Sequence, residues 1–198
     1  MKGKGHKQRI LDWSLELFNR DGTVAVTTNH ISRHLGISPG NLYFHYDSKE
    51  HIIRELFQRM VGEVYELWAI ESELEPLEFL KRTLELFWKY RFFHREMYHL
   101  RRNDDQLSKR WKTHINRSLR LLKLRYGLWL RKGYMRPSSP EELQTLTDCV
   151  LLMSNASLGF FESPEKPASR RSLGPALDRV NRMLWPYYTD QYRVHLGS

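Results

Sequence analysis

Asn41 carries an amide that donates and accepts side by side, the pattern that pairs bidentately with an adenine edge. It lies in residues 27–53, TTNHISRHLGISPGNLYFHYDSKEHII, whose exposed residue types suit a DNA backbone and groove. Gly40 beside it would let the main chain come close to a groove floor, and Lys49 offers an ammonium to a phosphate. Residues suited to catalysis are sparse elsewhere. Glu96 and His99 form one E-x-x-H spacing, but a di-metal carboxylate site needs two such pairs and two more carboxylates, and no second copy occurs. Gly-rich phosphate loops, H-E-x-x-H and G-x-S-x-G are absent from the sequence. Cys149, the lone cysteine, stands in an apolar run and reads as a packing residue. No cofactor and no metal are expected, and binding is favoured over catalysis.

The elements that must position Asn41 are written in the flanking residues. Thr27 and Thr28 can cap a helix bearing Ile31 and Leu35 on one face, and Gly36 follows where a left-handed residue ends it. Ile37 fills the corner. Ser38 caps the next helix with Pro39 at its first position, where the fixed φ is already helical. Leu42 turns inward and leaves Gly40, Asn41, Tyr43, Phe44 and His45 outward. Asp47 is expected to cap a long helix over 47–70, with Glu50 three residues on. Two helices joined by a four-residue turn make a helix-turn-helix.

At these residues the chain resembles the TetR family of bacterial transcriptional regulators, over 10–53 from ILDWSLELFNRDG through TTNHISRHLGISPGNLYFHYDSKE. The resemblance implies an all-α chain. A three-helix helix-turn-helix domain would occupy 1–53, with a flexible basic tail at 1–7, and a helical effector-binding and dimerisation domain would occupy 54–198. Carried over by position, it implies DNA contacts at Thr28, Asn29, Pro39, Gly40, Asn41, Tyr43, His45 and Lys49. Base reading then falls mainly to Asn29, Gly40 and Asn41, and phosphate contacts to Tyr43, His45 and Lys49. Trp13, Ser32 and Leu35 depart from the family's smaller residues and read as packing changes.

The net charge of +9 suits a polyanionic partner, but its distribution is uneven. Residues 101–136 hold twelve Lys/Arg against two Asp/Glu, so the most basic stretch lies outside the helix-turn-helix. It reads as a helix with Leu107, Trp111, Ile115, Leu122, Tyr126 and Trp129 along one face and cations on the other. That basic face fits simple solvation, non-specific DNA affinity or the mouth of a pocket for an anion, and the sequence does not separate these. A single cysteine excludes an internal disulfide and suits a reducing cytoplasm. No apolar run follows the basic start MKGKGHK, so no signal peptide is expected. The longest apolar stretch, 149–161, is too short to span a bilayer. A cytoplasmic protein without membrane partners is expected.

Helical periodicity runs through most of the chain. A first helix is expected over 7–19. Another starts at Pro76 with Phe79, Leu80, Leu84, Phe87, Trp88 and Phe92 in one stripe, and further helices are expected over 140–161 and 173–185. The helix over 140–161 is apolar over too much of its circumference for one dry face, and the last helix adds further apolar residues beside it. They predict a homodimer through Cys149, Leu152, Met153, Ala156, Gly159, Phe160, Leu177, Val180 and Leu184, presenting two recognition helices to a pseudo-palindromic operator. A hydrophobic or aromatic effector would be lined by Phe87, Trp88, Phe92, Trp111, Tyr126 and Trp129. The leading expectation is a repressor released from double-stranded DNA by that effector. Beside it stand a DNA-bound interaction protein without a small ligand, and an enzyme with an accessory DNA-binding domain.

Overall fold

The computed structural model describes residues 2–69, 73–136, 138–160 and 169–197. Among them ten α-helices follow in order: α1 (Lys2–Ala25), α2 (Thr28–Leu35), α3 (Pro39–His45), α4 (Lys49–Trp68), α5 (Pro76–Lys89), α6 (Arg91–Arg102), α7 (Asp105–Arg131), α8 (Pro140–Phe160), α9 (Leu173–Leu184) and α10 (Asp190–Gly197). None of the described helices is long and apolar enough to cross a membrane.

The chain divides into two compact units, Met1–Gly62 with Tyr90–Lys109, and Glu63–Lys89 with Arg110–Ser198. This differs from the division expected at residue 53. The first unit takes in the start of α4 and the whole of α6, because α6 binds the end of α1 through buried polar groups described below.

In the first unit, α1 begins at Lys2, within the stretch expected as a flexible basic tail. It also runs past Asn19 to Ala25 across a kink at Gly22, whose φ of 79° is left-handed. Ile10, Ser14, Leu17 and Phe18 are buried along one face of α1, as the period-3.6 pattern predicts. The Thr27 hydroxyl accepts from the His30 N–H at 3.2 Å and starts α2. Gly36, at φ 66°, ends it by donating to the carbonyls of Ser32 and Arg33. The cap of α4 differs from expectation. Ser48, not Asp47, accepts from the His51 N–H at 3.2 Å, while the Asp47 carboxylate points to solvent and pairs with His51.

In the second unit, Phe79 meets Trp68 at 5.5 Å and Trp129 at 5.3 Å between ring centroids. The Trp68 indole N–H donates to the Thr83 hydroxyl at 3.0 Å and that of Trp129 to the Leu74 carbonyl at 2.9 Å, so both large rings are buried without an orphaned donor. Helices α5, α8 and α9 pack on one another. Ser139 and Glu142 cap α8 reciprocally at 3.2 and 2.9 Å. Past α9, Pro186 sits in a short 3-10 turn, and the chain then pairs Tyr188 with Met135 before α10.

The single aromatic stripe expected from Phe79 to Phe92 is broken. Tyr90, at φ −111° and ψ 32°, separates α5 from α6, so Phe92 belongs to a different helix and to the first unit.

Candidate nucleic-acid interface

Helix α3 is short, and its neighbours hold it in place. The Ser38 hydroxyl accepts from the Asn41 N–H at 3.2 Å and Pro39 occupies the first turn. Leu42 is fully buried, anchoring the helix on its inner side. Pro39, Gly40, Asn41, Tyr43 and Phe44 are exposed, and His45 is half-buried with its ring edge-on to Phe44 at 5.1 Å. Substituting a cap such as Ser38 by alanine typically costs about 1 kcal/mol, enough to fray so short an element.

The Tyr43 hydroxyl lies 3.0 Å from the Thr28 hydroxyl, tying the outer face of α3 to the first turn of α2. Asn29 is exposed on that same turn. Seven of the eight residues expected at DNA therefore cluster on α3 and the start of α2. Lys49 is placed differently: its ammonium donates to the Thr23 carbonyl at 2.6 Å, so it also closes the end of α1.

Behind this surface, α6 is keyed to α1 by groups that sequence reasoning did not assign. Both carboxylate oxygens of Glu96 lie 3.1 Å from the Thr23 N–H, and Glu96 also accepts from the Thr23 hydroxyl. A Cβ at Gly22 would meet Glu96 Oε1 at 3.1 Å, so glycine answers both the backbone conformation and this close approach. Asn19 Oδ1 accepts from the Phe92 N–H at 3.1 Å, the Asn19 carbonyl accepts from Arg95 at 2.6 Å, and Phe18 meets Phe92 at 5.3 Å. Arg54 and Asp104 pair at 2.7 Å. Burial raises the Asp104 pKa, but the Leu107 N–H and Arg54 outweigh it and hold the carboxyl below its ordinary value. The only sequence signal for Glu96 was the E-x-x-H spacing, and His99 is engaged elsewhere, 3.0 Å from the Asn103 amide.

Of the residues expected around an effector, Phe87, Tyr126 and Trp129 are buried in the second unit and Trp88 and Trp111 are half-buried there. Tyr126 and Trp129 meet edge-to-face at 5.2 Å. Phe92 does not join them. Its ring is buried in the first unit between Phe18 and Phe93. The face of α7 turned inward is more polar than expected, with His114, Ser118 and Arg125 buried alongside Leu107, Leu122, Tyr126 and Trp129. Arg125 donates to the Ala69 carbonyl and lies over the Phe79 ring at 5.3 Å.

Of the residues expected at a self-association face, Leu152 and Phe160 are 69% and 77% exposed, Ala156 is exposed, and Cys149, Met153 and Leu177 are half-buried. Val180 and Leu184 are instead buried within the chain, because the inner stripe of α9 packs on α5 and α8. The side chain of Gly159 lies outside the described residues. Between α8 and α9 runs an apolar groove of about 220 Å³, bordered by Met153, Ala156, Phe160 and Arg179.

The family model for bacterial regulatory proteins of the tetR family matches residues 10–56, and that for the TetR bacterial transcriptional repressor matches residues 50–196. The uncharacterized HTH-type transcriptional regulator YerO of Bacillus subtilis is 33% identical over 82 residues, 39% of this chain and 28% of its own length. The HTH-type transcriptional regulator QacR of Staphylococcus aureus is 35% identical over 66 residues, 33% of this chain and 35% of its own length. The chain thus matches about a third of the length of these curated relatives. A TetR-family transcriptional regulator from Marinobacter aquaeolei VT8 superimposes with a TM-score of 0.84 at 32% identity, covering 94% of this chain and 93% of that one.

Proposed function

The chain belongs to the TetR family, whose members are transcription regulators rather than enzymes, and from that premise we propose that it is a repressor that binds operator DNA as a homodimer and is released by a small effector. The observation that carries this reading is the outer face of α3, where exposed Asn41 and Tyr43 stand on a helix capped at one end and pinned by Leu42 beneath. Asn41 reads a base edge, while Tyr43, steadied by Thr28, reaches a phosphate. Thr28, Asn29, Pro39, Gly40, His45 and Lys49 complete the contact surface.

Two copies joined through exposed Leu152, Ala156 and Phe160 of α8 would present two such faces to successive major grooves. A pseudo-palindromic operator follows from that symmetry. The effector is hydrophobic or aromatic and sits in the second unit among Phe87, Trp88, Trp111, Tyr126 and Trp129. Support comes from the Ser118 and Tyr126 hydroxyls, which are buried without a hydrogen-bond partner among the described residues. Unpaired hydroxyls in a core are costly, and a bound polar group would satisfy them. The effector releases DNA only by its differential affinity for two states, so a tenfold response requires about 1.4 kcal/mol of coupling. A repressor of this kind would work in the cytoplasm, where it has access to chromosomal DNA.

The test is selection of genomic DNA fragments by the intact protein, followed by binding of the recovered site by wild type, Asn41→Ala and Tyr43→Ala. A pseudo-palindrome that both variants bind more weakly supports the reading. Absence of an enriched site, with binding governed by salt alone, refutes it.

A further inference from the structure

Phe44 is 84% exposed, more than any other large apolar side chain among the described residues, and it stands on the helix proposed to enter the major groove. Each helical residue turns the chain about 100°, so Gly40 and Phe44, four apart, straddle the direction opposite buried Leu42. They are the most outward residues of α3. The phenyl ring contributes little burial to the folded chain and carries no donor for a phosphate.

Gly40 is equally unexplained from within the chain. Its φ is not among the positive values, which occur at Gly22, Gly36 and Gly133. A Cβ there would meet only Ser38 Oγ, at 4.0 Å. Glycine weakens a helix relative to alanine, so neither conformation nor packing inside the protein asks for it. The bare backbone at Gly40 and the ring one turn later form an apolar step, steadied on one side by the His45 ring.

Among the four bases, only thymine offers an apolar group in the major groove, its C5-methyl. We propose that Phe44, with the open backbone at Gly40, reads a thymine methyl and selects that base at one position in each half-site. This rests on the operator-binding reading above and adds a specificity residue to it.

The experiment uses duplexes of the site recovered by fragment selection, with each thymine replaced singly by deoxyuridine, which removes only the methyl. At one thymine per half-site the replacement weakens wild-type binding about fourfold, the factor for one buried methyl. Phe44→Ala binds the thymine duplex as weakly as wild type binds the uracil duplex and is indifferent to that replacement. Gly40→Ala loses affinity while its thermal stability is unchanged or raised. The inference is overturned if wild type tolerates uracil at every position, or if Phe44→Ala keeps the full uracil penalty. Failure of the selection to enrich any site overturns the operator reading itself, and this inference with it.

Discussion

Glu96 looks like half of a metal motif on paper, yet its carboxylate is taken up by the end of α1. Thr23 is buried, and its N–H and hydroxyl both donate to Glu96. Removing the acceptor leaves those donors unpaired, so Glu96→Ala is expected to lower stability by about 1–3 kcal/mol, read as a lowered midpoint in thermal or urea unfolding. His114 gives a second test at the same scale. Burial pushes its imidazole down to about 4, and its Nδ1 lies 3.3 Å from the Tyr65 hydroxyl. The unfolded chain takes up that proton first, near pH 6.5, so the stabilising contribution is complete above pH 6.5 and is lost as pH falls toward 4. Unfolding free energy should drop by about 2 kcal/mol between pH 7 and pH 5 on this account, and His114→Gln should flatten that slope. Neither role was legible in the sequence, because burial and a partner 73 residues away are properties of the packed chain.

At the scale of elements, the helix-turn-helix was legible because each signal is local. Thr27, Gly36, Ser38 and Pro39 act within a few residues of themselves, and every one occupies the position its chemistry predicts. Gly36, at φ 66°, has open space around its Cβ position, so Gly36→Ala isolates the backbone term. The expected cost is about 1–2 kcal/mol, measured by equilibrium unfolding, because a left-handed residue with a side chain is strained. The longer helices were less legible at their ends. Asp47 and Ser48 are both good caps one residue apart, and only the register of α4 chose Ser48. The break at Tyr90 has no proline or glycine to announce it. The apolar stripe runs on without interruption, and the turn is held by the Phe92 N–H reaching back to Asn19.

For the whole molecule, the exposed apolar side chains on α8 set the main prediction. Leu152→Glu with Phe160→Glu places charge where a second copy would bury it, and sedimentation should find monomers whose unfolding midpoint at low concentration is unchanged. Operator affinity of the double variant should then fall steeply, since each half-site is held alone. Equal mass for wild type and variant would instead remove α8 from the interface. The sequence by itself determined the helical class, the turn that separates α2 from α3 and the outward face of α3. All of these follow from side-chain periodicity and capping over short spans. Tertiary structure alone decided that α6 belongs with the DNA-binding helices, that Phe92 joins Phe18 while Trp129 joins Phe79, and that Val180 and Leu184 are spent inside the chain. An apolar residue carries the same hydrophobic driving force toward any apolar neighbour. Which neighbour it meets is settled only when distant polar groups such as Asn19 and Glu96 find their hydrogen-bond partners and fix the packing.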